Sequence, residues 1–112
     1  MKQIEEKALA YLGFAARQGR VTVGTQLVAE ALKHRAGSKK QEQVVALLAD
    51  DASPATKKRI KDRTAYYGVP LVGLSLDGEA LATAVGKRGG VVAAVLVTEP
   101  HLAARITELY GI

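Results

Sequence analysis

The sequence predicts an α/β fold, with helices on both faces of a four-stranded sheet. Three observations carry that reading. Segments with helical periodicity alternate strictly with short apolar or β-branched runs along the chain. Two of those runs, Val44 to Ala49 and Val91 to Thr98, are apolar almost throughout, as strands buried on both faces are. Capping and helix-breaking residues stand where the helical segments would start and stop.

In order, the apolar positions Ile4, Ala8, Leu12 and Ala15 recur at helical spacing from about Gln3 to Ala16, and Gly19 stops that helix. Val21-Thr22-Val23 is a short β-branched strand. Gly24-Thr25 opens a second helix through about His34, with Leu27, Val28, Ala31 and Leu32 facing the core. The polar stretch Arg35 to Gln43 reads as a loop, and Val44 to Ala49 as the second strand. Ser53 suits the N-cap and Pro54 the first position of a third helix, which runs to Tyr66 or Tyr67 and ends at Gly68. Leu71 to Leu74 is the third strand. Asp77 caps a short helix through about Val85 that Gly86 closes; Val91 to Thr98 is the last strand, and Pro100 opens a helix to about Tyr110. With no repeat or linker, residues 1–112 read as a single domain.

Composition narrows the function. Apolar residues make up 48% of the 112, enough for one core, and no apolar run approaches the roughly 18 to 20 residues of a membrane span. The polar, acidic start is unlike a secretory signal, so a soluble cytoplasmic protein without membrane partners is expected. The chain has no cysteine, which excludes disulfides, a thiol nucleophile and thiolate metal sites. The net charge of +5 favours an anionic partner and is unevenly placed. Residues 1–63 hold 13 basic and seven acidic side chains, a net of +6; residues 64–112 hold three and four, a net of −1. Two of those three late cations, Lys87 and Arg88, are adjacent in the glycine-rich stretch Gly86-Lys87-Arg88-Gly89-Gly90.

Catalytic constellations are weak. His34 and His101 are not placed together by any pattern. Asp50-Asp51 follow a buried strand, where α/β sheets bind ligands, but they also suit the positive start of the next helix. The loop at residues 86–90 precedes a strand and lacks the Lys-Ser/Thr pair that opens a helix in a phosphate loop. A glycine backbone with exposed Lys and Arg does allow close approach to an anionic backbone. The run Lys57 to Arg63 is the densest in charge and reads as a solvated helix face or a phosphate-contacting flank. Five aromatics are too few for a stacking platform on single strands.

Four features in register resemble a known family: Arg17-Gln18-Gly19-Arg20-Val21-Thr22-Val23-Gly24, Leu47-Leu48-Ala49-Asp50-Asp51-Ala52-Ser53-Pro54, Tyr66-Tyr67-Gly68-Val69-Pro70, and Leu81-Ala82-Thr83-Ala84-Val85-Gly86-Lys87. Over about residues 9 to 108 the chain is similar to the kink-turn RNA-binding ribosomal proteins, and within them to the small bacterial YlxQ-type branch. The resemblance implies a three-layer α-β-α sandwich with a mixed four-stranded sheet, no catalysis, no cofactor or metal, and binding of structured RNA. The RNA would be ribosomal RNA or a kink-turn-like internal loop, with a role on the ribosome or in its assembly and no DNA specificity. It assigns Gly24, Thr25 and Gln26 to a first RNA contact, with Arg20 just upstream. Asp51 falls on an acidic position after the second strand, and Lys87, Arg88, Gly89 and Gly90 on a second contact loop. All are expected to converge on one edge. Where kink-turn binders carry Asn, Glu and a later Lys, this chain has Gln26, Leu27 and Glu30. Gln26 keeps an amide that donates and accepts, Leu27 offers no acceptor to a guanine edge, and Glu30 repels phosphate. The alternatives on the same fold are a protein-interaction or dimerisation module using Leu27, and a small enzyme using Asp50 and Asp51.

Overall fold

In the computed structural model, which describes residues 2–36 and 42–112, the alternation is realised in full. Helix α1 (Lys2–Arg17) is followed by β1 (Val21–Val23), α2 (Thr25–Ala36), β2 (Val45–Leu48), α3 (Pro54–Tyr67), β3 (Leu71–Gly73), α4 (Gly78–Ala84), β4 (Ala94–Val97) and α5 (Pro100–Leu109). The second helix therefore runs two residues beyond His34. The middle of the polar loop, residues 37–41, lies outside the described residues.

The strands form one sheet in the order β1-β4-β2-β3. β4 is antiparallel to both β1 and β2, whereas β2 and β3 are parallel and joined by the crossover helix α3. The sheet is thus mixed. Both central strands are buried at every position, and their side chains alternate between two cores. Val45, Leu47, Val95 and Val97 pack with Leu12, Ala15, Leu81 and Ile106 of α1, α4 and α5. Ala46, Leu48, Ala94 and Leu96 pack on the other face with Val28, Leu32 and Ile60 of α2 and α3. Two hydrophobic layers on opposite faces of one sheet make the three-layer sandwich.

The caps behave as the sequence implies. Ser53 accepts a hydrogen bond from the Thr56 N–H (3.1 Å), Pro54 occupies the first turn of α3, and Gly68 ends it in the left-handed region. Asp77 caps α4 by accepting from the Ala80 N–H (2.9 Å). On α3, Ile60 and Thr64 are buried and Tyr67 half-buried, while Tyr66 stands in solvent. Replacing Ser53 with alanine should cost about 1 kcal/mol in a denaturant titration, because one N-terminal N–H of α3 loses its acceptor.

Two expectations need correction. The last strand is not Val91 to Thr98 but Ala94–Val97, because the Val92 N–H donates to the Gly78 carbonyl (2.9 Å), not to a neighbouring strand. Leu27 does not face the core: it is 55% exposed, because the buried stripe of α2 runs through Val28, Ala29 and Leu32 and leaves Leu27 to its side.

Candidate nucleic-acid interface

One end of the sheet gathers Gly24, the turn that carries Asp51 and the segment that leads from the second loop into β4. The Gly24 N–H, just past β1, donates to the Ala94 carbonyl at the start of β4 (2.9 Å). Ala94 pairs with Leu48 at the end of β2, and Leu48 with Gly73 at the end of β3. Beyond them the Ala49 N–H donates to Ala93 and the Leu74 N–H to Leu48 (2.8 and 2.9 Å). The start of α2, the segment leading into β4, and the turns after β2 and β3 therefore share one rim.

At that rim Gly24 has φ 102°, a conformation that side chains beyond glycine rarely adopt, and its carbonyl accepts from the Val28 N–H (2.9 Å). The N–H groups of Thr25, Gln26 and Leu27 have no acceptor one turn earlier in the helix, so the helix start carries outward donors and partial positive charge. Gln26 is exposed and Thr25 half-buried.

The second loop is built by hydrogen bonds rather than left to its side chains. The Lys87 N–H donates to the Ala82 carbonyl (2.7 Å) and the Gly86 N–H to Thr83 (3.1 Å), the paired bonds that close a helix on a left-handed residue. The Gly90 N–H then returns to the Lys87 carbonyl (3.1 Å), with Gly89 at φ 81°, the positive value a type II turn needs at its third position. Lys87, Arg88 and Gly89 are exposed and Gly90 half-buried. Among the described residues the ion pairs are Arg20–Glu42, Lys58–Asp62 and His101–Glu99, so neither Lys87 nor Arg88 is neutralised by one.

Asp51 sits at the rim with its carboxylate already engaged: it accepts from the Gly78 N–H (2.9 Å) and ties the turn after β2 to the start of α4. Arg20 does not join the others. Its guanidinium donates to the Thr98 carbonyl (2.9 Å) and lies 3.8 Å from Glu42, and its carbonyl accepts from the Thr98 N–H, all at the far end of β1. Three extended residues, Val21 to Val23, lie between it and Gly24, and the four steps of chain span about 13 Å. Closeness in sequence suggested one edge; the strand between them makes two.

Sequence reasoning missed two residues here. Val91 is 70% exposed at the end of the second loop, although the doublet Val91-Val92 had the composition of a strand. Gly78 links the site: its N–H meets Asp51 and its carbonyl meets Val92. A Cβ on Gly78 would lie 2.6 Å from Val91 Cγ1 and 3.1 Å from the Val92 carbonyl oxygen, a close approach that no sequence pattern announces. His101 pairs with Glu99, at 3.1 Å, while His34 lines a separate groove with Arg20. Among the described residues no group of three or more His, Asp or Glu side chains could hold a metal ion, and no helix is long and apolar enough to cross a membrane.

Comparison with known proteins gives a consistent picture. Residues 6–106 match the ribosomal protein L7Ae/L30e/S12e/Gadd45 family. The RNA-binding protein YlxQ of Enterococcus faecium is 32% identical over 82 residues, 73% of each chain. In fold, the chain is similar to the Giardia lamblia 15.5kD RNA binding protein, with a TM-score of 0.78 over 97% of this chain and 86% of that one at 15% identity. It is equally similar to a Bacillus halodurans protein of unknown function, with a TM-score of 0.78 over 94% and 97% of the two chains at 23% identity.

Proposed function

The chain belongs to the ribosomal protein L7Ae/L30e/S12e/Gadd45 family, and from that premise we propose that it is a non-catalytic RNA-binding protein whose interface is the rim around Gly24. The observation that supports this most is that two unlike surfaces lead into that rim. A helix start presents Thr25 and Gln26, and a hydrogen-bonded turn presents Lys87 and Arg88 without ion-pair partners among the described residues. Lys87 and Arg88 bind phosphates, and the close glycine backbone at Gly89 and Gly90 admits the sugar-phosphate chain. Gln26 reads a base edge through its amide. Leu27 and Val91, both exposed, offer apolar contact to unstacked bases where a duplex would offer none. Asp51 acts by holding the start of α4 in place.

The substrate on this reading is an internal loop in structured RNA, a kink-turn or a similar element of ribosomal RNA, met in the cytoplasm on the ribosome or during its assembly. Gel-shift titration against a kink-turn RNA and a plain duplex tests it. The kink-turn should bind more tightly, with log affinity falling by about 0.7 to 0.9 per phosphate contact for each decade of salt. Equal affinity for both RNAs would remove the internal loop as the target, and no binding at low salt would remove RNA altogether.

A further inference from the structure

Helix α3 carries charge that its own stability does not explain. Lys57, Lys58, Arg59, Lys61 and Arg63 face a single acid, Asp62, within residues 57–63. The helix has no acidic side chain in its first turn and no basic one in its last, so the placement of its charges gains nothing from the macrodipole. Lys57 and Lys61 stand four residues apart, as do Arg59 and Arg63; like charges at that spacing weaken a helix. Lys58 differs. Its ammonium lies 2.9 Å from the Asp62 carboxylate, and that hydrogen bond raises its pKa above the ordinary lysine value.

The position of Lys57 and Lys61 supplies the reason for their pairing. Both line a groove with Asp50, Leu48, Gly73 and Leu74, at the carboxyl ends of the parallel strands β2 and β3. Open α/β sheets bind ligands at such ends. Two ammonium groups against the one carboxylate of Asp50 leave the groove net positive. It also lies on the same rim as Gly24: in the order β1-β4-β2-β3 the outer strands are three spacings apart, about 14 Å, which a nucleic-acid strand covers in a few nucleotides.

Building on the RNA-binding reading, we infer that Lys57 and Lys61 form a second phosphate-holding site, which grips the helical flank of the same RNA whose internal loop meets Gly24. The occupant is the sugar-phosphate backbone, recognised by charge and not by base. The RNA interface then spans the whole rim, from β1 to β3, and its length sets how much flanking helix the RNA needs.

The test compares the wild-type chain with Lys57→Gln/Lys61→Gln on a kink-turn RNA with long flanking helices, and on the same RNA with each helix trimmed in turn to a few base pairs. On the long RNA the double variant should bind about tenfold more weakly, with a salt slope smaller by about 1.5. Trimming one of the two helices should abolish the difference between wild type and variant. Lys58→Gln should bind within about twofold of wild type, since Asp62 already neutralises Lys58. The double variant should melt no lower than wild type, because a like-charge pair has been removed. If it binds the long RNA with wild-type affinity and slope while Lys87→Gln/Arg88→Gln fails to bind, the α3 site is overturned and the Gly24 rim stands. If Lys58→Gln weakens binding as much as the double variant, undirected attraction replaces the groove. If the wild-type chain binds none of these RNAs at low salt, both readings fall.

Discussion

Replacing Lys87 and Arg88 together by glutamine is expected to weaken RNA binding about a hundredfold and to leave the fold intact. Two charge-assisted phosphate contacts would be lost, each supplying on the order of a tenfold factor, and the salt slope should fall by about 1.5. The fold should survive because the side chains are exposed and the loop is shaped by main-chain bonds: Lys87 N–H to Ala82, Gly86 N–H to Thr83, and Gly90 N–H to Lys87. Unchanged circular dichroism and melting temperature beside a weakened gel shift would complete the result. A double variant that binds like wild type would move the RNA edge away from this loop.

The second large effect should follow from Gly78→Ala, a change of one methyl group. Helix propensity alone favours the substitution by up to about 1 kcal/mol. Packing opposes it more strongly. The added carbon would lie 2.6 Å from Val91 Cγ1, which can swing aside, but also 3.1 Å from the Val92 carbonyl oxygen and 3.3 Å from its nitrogen, which cannot move without disturbing the Val92 N–H bond to Gly78. Overpacking of this kind costs about 1 to 3 kcal/mol, so a net loss should appear as a lower midpoint in urea. Because Val92 leads back to Lys87 and Arg88, and Asp51 holds the other side of Gly78, RNA affinity should fall as well. A variant of equal or greater stability would mean that the segment before β4 yields freely.

What the sequence made legible was the periodic and the punctuated. Continuous burial along β2 and β4, the Ser53, Pro54 and Gly68 ends of α3 and the Asp77 cap all depend on neighbours in the chain, and all could be read from it. Of the proposed site, the local backbone was legible, in the glycine at position 24 and in the turn from Gly86 to Gly90. The errors share a cause in three-dimensional placement. Leu27 lies next to the buried stripe in sequence, but the face of α2 that the sheet covers is centred on Val28, Ala29 and Leu32. Val91 has the composition of a strand, but its neighbour Val92 spends its N–H on Gly78. Arg20 is four residues from Gly24, yet an extended strand carries it to the opposite end of the sheet. The cations of α3 read in sequence as a solvated face or a phosphate-contacting flank, and the groove that Lys57 and Lys61 share with the end of β3 is a matter of the fold alone.

The sheet's margins have a consequence for crowding. Its outer strands, β1 and β3, are three residues each, and just past β3 the Glu5 carboxylate accepts from both the Ser75 N–H (2.7 Å) and its hydroxyl (2.6 Å). A neighbouring copy seeking to extend the sheet finds a short ladder whose next donor is already taken. Edge-to-edge pairing between copies is disfavoured by these margins, and so is the cross-β growth that such pairing would seed.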